Sequence, residues 1–252
     1  SVAWALQLVS TGTPLGTALV MGLGFALIMS LITGLLIAYA DIPPLFATLA
    51  MATFIYGFGR SNLITGTDVV YMPNDIGWIK SLGQGYFLGV PMPVVVALIV
   101  AGLVWAFLRF TKPGRFIFAI GDNAAAARIT AIPVRPMLVT QYVLSGGIAF
   151  LAGIITATSV AAMNTRVVNS NMIYDVILVV VLGGVGLSGG RGNVRNVIVG
   201  TLLIGVLMNG MTIMDIQYTV QNVIKSLILL LAFVADSILN PRDEQTGQQG
   251  DI

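Results

Sequence analysis

The chain has no cysteine, no histidine and a single glutamate among its 252 residues. Without cysteine there is no disulfide and no thiolate nucleophile. Without histidine there is no Ser-His-Asp triad, and without both there is no Cys/His zinc site. The lone Glu244 lies in a polar tail, so paired-carboxylate chemistry has little material in the apolar part. Charge is scarce as well: 9% of residues are charged, where a soluble domain carries about 25%. The net charge of +2 comes without a clustered basic face, which argues against nucleic-acid binding. No catalytic residue, cofactor site or metal site is identified, and the chain does not read as an enzyme.

What is present is grease in long runs. Hydrophobic residues make up 57% of the chain, and the mean hydropathy is +0.95. Residues 1–40, 42–59, 81–108, 136–165 and 196–214 carry no charge at all. A bilayer's hydrocarbon core needs about 20 apolar residues in helix to cross it. The sequence therefore predicts an all-α, polytopic transmembrane helical bundle, in contact with lipid and multi-pass.

Spans are expected over about 14–40, 45–58, 90–108, 137–163, 176–187, 197–214 and 218–238. Asp41-Ile42-Pro43-Pro44 separates the first two, since paired prolines stop one helix and open the next. Residues 60–84 read as a polar connector, with Gly66, Pro73 and Gly83 as turn signals. The run at 176–187 is short and ends in glycine, a pattern that often lines a protein interior. The apolar stub 2–9 is too short to span alone and reads as the end of a helix that begins upstream. Residues 1–239 are expected to form a single, N-terminally truncated membrane domain, and 240–252 a polar cytoplasmic tail.

Basic residues set the orientation. With the loop 109–135 in the cytoplasm, that side holds Arg109, Lys112, Arg115, Arg128, Arg135, Arg191, Arg195 and Arg242. The outer side holds only Arg60, Lys80 and Arg166 in loops. In the span at 137–163, Ser145, Ala149, Gly153, Ala157 and Ala161 repeat every four residues. Small residues at that spacing let another helix approach closely, and internal packing is the plainer use of them than a dimer seam.

The cytoplasmic loop carries the clearest local signal. In Gly121-Asp122-Asn123-Ala124-Ala125-Ala126-Ala127-Arg128-Ile129, Asp122 or Asn123 can cap a helix, the alanines favour it, and Pro133 stops it. Such a short exposed helix is either a docking lever for a partner or an inert surface helix. Gly183 and Gly184 can loosen backbone near a path or act as a hinge, whereas Gly189, Gly190, Arg191 and Gly192 read first as a cytoplasmic turn. Among polar residues in spans, Lys225 is the sharpest: it either faces the bundle or snorkels outward. Asn209, Gln221 and Asn222 are expected to hydrogen-bond between helices, and Asp175 and Asn171 to cap a helix or meet a partner.

These pieces in this order resemble the permeases of bacterial ABC importers of the ribose/xylose/galactose type. The resemblance rests on Ile42-Pro43-Pro44-Leu45-Phe46-Ala47-Thr48-Leu49-Ala50, the loop from Gly121, Tyr142-Val143-Leu144-Ser145-Gly146, Val181-Leu182-Gly183-Gly184, Gly189-Gly190-Arg191-Gly192-Asn193 and residues 221–230. It spans nearly the whole chain; the family's further N-terminal spans, with an acidic glycine-rich motif, are absent. It implies that residues 121–132 form the coupling helix, with Gly121, Asp122, Asn123, Ala126, Arg128 and Ile129 at the contact with the ATPase. Gly183, Gly184, Asn209, Gln221, Asn222 and Lys225 would belong to the translocation path or a hinge. It also implies an inner-membrane permease that moves a monosaccharide by alternating access. Its partners would be cytoplasmic ATPase subunits, a second permease copy or paralogue and a periplasmic sugar-binding protein. The chain has no G-x-x-x-x-G-K-[ST] phosphate loop, so ATP hydrolysis would fall to another subunit. The alternatives are a branched-chain amino acid permease of the same architecture and a non-transporting membrane remnant or scaffold.

Overall fold

The computed structural model describes residues 1–64, 68–73, 77–186, 189–190 and 192–239. Eleven helices occur among them: α1 (Val2–Ser10), α2 (Leu15–Tyr39), α3 (Pro44–Phe58), α4 (Ile79–Gln84), α5 (Met92–Phe110), α6 (Lys112–Asp122), α7 (Ala124–Ile129), α8 (Val134–Val160), α9 (Met172–Leu182), α10 (Val194–Ile213) and α11 (Tyr218–Leu239). The strands are β1 (Val69–Tyr71), β2 (Tyr86–Phe87), β3 (Val90–Pro91) and β4 (Ala162–Asn164). Helix accounts for 78% of the structure and strand for 4%, which bears out the all-α expectation.

Among the described residues, α2, α5, α8, α10 and α11 are long and apolar enough to cross a membrane. The seven runs expected to span thus resolve into five full-length helices and two short ones. At a rise of about 1.5 Å per residue, α3 reaches only about 22 Å and α9 only about 16 Å. The first continues directly into a π-helical turn, Gly59–Leu63. The second ends at Gly183-Gly184, as its glycine-broken sequence suggests.

The chain forms two compact units. The first comprises Ser1–Leu103 and Arg135–Asn169. Its core gathers Val2, Leu6, Ile64, Val70, Ile79, Phe150 and Ala157. Glycines let the helices meet without side chains between them. A Cβ on Gly22 of α2 would stand 2.9 Å from Ala5 Cβ and 3.1 Å from the Phe150 ring, and one on Gly34 would stand 3.0 Å from Val139 Cα. The α8 row of small residues packs internally in its second half: Ala157 is fully buried, and Gly153 faces Val2 on α1. Its first half is exposed at Ser145 and Ala149.

The expected polar connector is more ordered than its sequence suggests. Its strand β1 pairs antiparallel with β4, with Val69 opposite Asn164 and Tyr71 opposite Ala162. Arg60 and Arg166 both form ion pairs with Asp68, at 2.5 and 2.7 Å. At a different loop of this unit, Asp41 pairs with Arg135 at 3.6 Å, and the Arg135 guanidinium lies 5.5 Å from the Tyr39 ring centre. The pairings join residues that the span order assigns to the same membrane face.

The second unit comprises Val104–Val134 and the chain from Ser170 onward. In it α9 packs against both α10 and α11. The contact with α10 is made by glycines: a Cβ on Gly200 would collide with the Val179 carbonyl, and one on Gly183 would stand 2.8 Å from the Asn196 carbonyl oxygen.

Several expectations change in this unit. Residues 112–122 are not loop but the helix α6, opened by Thr111, whose hydroxyl accepts a hydrogen bond from the Gly114 N–H at 3.1 Å. Gly114 permits the sharp turn, since a Cβ there would stand 2.6 Å from Leu108 Cα at the end of α5. The single helix expected over 121–132 is therefore two. Asp122 ends α6 instead of capping its successor, and Asn123 alone is the cap of α7, accepting from the Ala126 N–H at 2.9 Å.

Pro133 does not end α7 either. Ala131 takes φ +60°, and the N–H groups of Ala131 and Ile132 return to the carbonyls of Arg128 and Ala127. That is a Schellman turn, which satisfies the last carbonyls before the proline is reached. The same closure ends α9 at Gly184 and α10 at Asp215.

Candidate functional site: a glycine clasp and a buried ion pair

Two groups of residues singled out in the sequence far apart meet in the second unit. The end of α6 rests on the glycine turn that follows α9. A Cβ on Gly121 would overlap the Gly190 backbone nitrogen, and one on Gly190 would stand 2.6 Å from both N and Cα of Asp122. Gly189 and Gly190 take φ +85° and +72°, a region only glycine enters at little cost. The two backbones thus touch with no side chain between them. Gly192 completes the turn at φ +152°, with the Val185 side chain beside it. Arg191 lies outside the described residues, as does the tail 240–252.

The helix α7 follows directly on this clasp. Ala127 is buried beneath the helix, while Asp122, Asn123, Ala126 and Arg128 are exposed. Ile129 is 87% exposed, an isolated apolar side chain on an otherwise small and polar foot. The arrangement presents a short capped helix, with one hydrophobic knob and one cation, on a base of rigid backbone contact.

The first turn of α9 carries a second arrangement. Lys225 on α11 is 5% exposed, and its Nζ donates to Asp175 Oδ1 at 2.7 Å. Lys225 therefore faces the bundle and does not snorkel. Asp175 serves as its counter-ion, not as a cap; Asn171 stands at the N-cap position without a side-chain cap bond. The Tyr218 ring centre lies 5.9 Å from the ammonium. A charge in the middle of an apolar helix is costly unless a partner meets it, and this pair supplies that partner.

The remaining polar span residues divide. Gln221 is buried, but its Nε2 donates to the Ile216 carbonyl at 2.8 Å, just before its own helix, so it does not bridge two helices. Asn222 sits beside Lys225, and its Oδ1 is buried without a hydrogen-bond partner. Asn209 is exposed and is not gathered with the others. Gly183 and Gly184 close α9 at the end that leads to the clasp, while Asn222 and Lys225 lie by its beginning. Sequence reasoning missed the Asp175–Lys225 pairing; the only signal was that each is a lone charge next to a long apolar run.

The chain matches the family model described as branched-chain amino acid transport system, permease component, over residues 1–233. It is 31% identical over 241 residues to a ribose import permease of Haemophilus influenzae, covering 95% of this chain and 74% of the relative. It is 33% identical over 241 residues to the ribose import permease of Bacillus subtilis, covering 94% and 72%. A galactofuranose transporter permease of Escherichia coli is 33% identical over 227 residues, covering 90% and 65%. No solved structure matches the chain. With the family model matched over nearly its whole length, and with helices built to cross a bilayer, this multi-pass membrane protein belongs to the family of transport-system permease components.

Proposed function

We propose that this chain is the conducting subunit of a bacterial ABC importer for a monosaccharide. The observation that carries the reading is the exposed foot α7, anchored by backbone contact between Gly121-Asp122 and Gly189-Gly190. A lever must be exposed where it is pushed and stiff where it is attached. This foot has both properties, with Ile129 and Arg128 at the surface and no flexible side chain in its mounting.

In this reading residues 1–239 act as one membrane domain in the inner membrane, with the foot and the tail 240–252 in the cytoplasm. A second permease copy or paralogue completes the pathway. ATPase subunits on the cytoplasmic side receive Gly121, Asp122, Asn123, Ala126, Arg128 and Ile129, and a periplasmic binding protein delivers the sugar. Closure of the ATPase pair moves the foot as a rigid body, and the spans open to one side and then the other. The names of the ribose and galactofuranose permeases support a sugar as cargo. The family description favours the second reading, a branched-chain amino acid.

The test reconstitutes the permease with its ATPase and binding protein in proteoliposomes and compares ATP-driven uptake of D-ribose, D-galactose and L-leucine. Uptake of a sugar but not leucine is the expected outcome; leucine uptake alone overturns the sugar reading. A permease that retains no ATPase on purification in mild detergent removes the importer reading altogether.

A further inference from the structure

Where α5 ends and α6 begins, three cations follow at a spacing of three: Arg109, Lys112 and Arg115. All three are exposed. The turn between the helices is tight, because Gly114 lets the first turn of α6 rest on the backbone of Phe107 and Leu108. Lys112 and Arg115 are three apart on α6 and so are neighbours on its surface. The Arg109 guanidinium lies 5.4 Å from the Trp105 ring centre and 5.9 Å from that of Phe110, so two rings hold it in place.

Like charges placed as neighbours repel, and a shared anion turns that repulsion into attraction. Other cations of the chain meet carboxylates: Arg60 and Arg166 meet Asp68, Arg135 meets Asp41, and Lys225 meets Asp175. Among the described residues, the charged groups of Arg109, Lys112 and Arg115 have neither an ion pair nor a hydrogen bond. The one carboxylate of α6, Asp122, is its last residue, about 10 Å along the axis from Arg115. The surroundings decide what kind of anion fits. No residue of α5 is buried, and the helix is apolar and long enough to cross a bilayer. Phe110, between the first two cations, is 67% exposed. An acidic peptide or a free phosphate would satisfy the cations and leave that ring wet. An anionic phospholipid satisfies both, with its phosphate on the cations and an acyl chain on the ring.

We infer that the junction of α5 and α6 is a headgroup site for an anionic phospholipid, in which Arg109, Lys112 and Arg115 donate to the phosphate and an acyl chain lies along α5 past Phe110. Arginine meets phosphate oxygens through two parallel N–H groups, and lysine meets them as a point charge. Basic residues directly beside a span draw anionic lipid, each by about fivefold. The inference is independent of the cargo. It gives the helix that bears the clasp a second footing, in the membrane.

The test releases the whole permease from nanodiscs made of equal parts phosphatidylglycerol and phosphatidylcholine and counts the retained lipids by native mass spectrometry. Phosphatidylglycerol is then titrated onto delipidated protein. The site predicts that phosphatidylglycerol is retained over phosphatidylcholine. It also predicts that Arg109→Gln/Lys112→Gln/Arg115→Gln binds phosphatidylglycerol about tenfold more weakly or worse. Lys80→Gln, which removes an exposed cation outside the junction, should bind as the parent does. Should the triple variant not insert, Lys112→Gln and Arg115→Gln are read singly, each with binding about fivefold weaker. Parent-like binding in the folded variants, or equal retention of both lipids by the parent, overturns the inference. Inorganic phosphate that displaces phosphatidylglycerol at equal concentration marks a site for bare phosphate and overturns the lipid's part in it. Loss of ATPase subunits from the triple variant with unchanged phosphatidylglycerol binding assigns the patch to a protein and overturns it too.

Discussion

The two units handle charge in opposite ways. In the first, the buried hydroxyls of Thr33 and Thr158 return to their own helices, to the Met29 and Ile154 carbonyls at 2.8 Å each. Its ion pairs, Asp41–Arg135 and Asp68 with Arg60 and Arg166, lie at helix ends and in connectors and keep substantial exposure. In the second, a cation is carried into the apolar body and met across helices by Asp175, with the unpartnered Asn222 Oδ1 beside it. The first unit also holds a buried amide oxygen without a hydrogen-bond partner, Gln7 Oε1, but its ion pairs among the described residues stay partly exposed. The second retains polar cost where α9 meets α11, and such costs persist where function needs them.

The sharpest way to break this contrast is to remove one charge from each unit. Lys225→Met leaves Asp175 without its counter-ion and is expected to destabilise the protein by about 3 kcal/mol, read as a lower unfolding midpoint in detergent. The double variant Asp175→Leu/Lys225→Met should recover most of that loss, because an apolar pair of similar volume replaces the ions. A single variant as stable as the parent would place Lys225 with the solvated charges of the other unit.

A middle-sized effect is expected at the clasp. Gly121→Ala puts a methyl group onto the Gly190 backbone, and overpacking of this kind costs about 1–3 kcal/mol. Hydrogen exchange should report the loss in α6 and α7 while leaving α2 and α8 protected. Protection lost evenly across both units would erase the distinction. The smallest effect belongs to the first unit: Arg135→Ala removes an exposed pair at 3.6 Å and should cost under about 1 kcal/mol, fading further in high salt.

Much of the fold was legible because lipid imposes a simple rule. Runs without charge became α2, α5, α8 and α10, and the apolar run around Lys225 became α11, each within a few residues of its expected limits. The helix α6 was hidden by its own polarity. Lys112 and Arg115 gave it the look of a loop, although Thr111 ahead of Pro113 was a readable start signal. The stop of α7 was misjudged because Pro133 is conspicuous and a left-handed alanine at 131 is not. In the candidate site, the turn glycines and the foot were visible as motifs. Their contact was not, since 68 positions separate Gly121 from Gly189 (189 − 121) and no local pattern encodes it. Asp175 and Lys225 stand 50 positions apart and are joined only by the packing of α9 on α11.

The half-length of α9 has a mechanical consequence. Its opening turn is pinned by an electrostatic bolt to α11, and its far end runs into the glycine mounting that bears on α6. A strut of about 16 Å fastened at both tips cannot shift at one tip in silence. In the proposed import cycle a tilt imposed where the foot is attached reaches the Asp175–Lys225 pair through α9. This short apolar helix thus carries a push at the foot to the ion pair at its other tip.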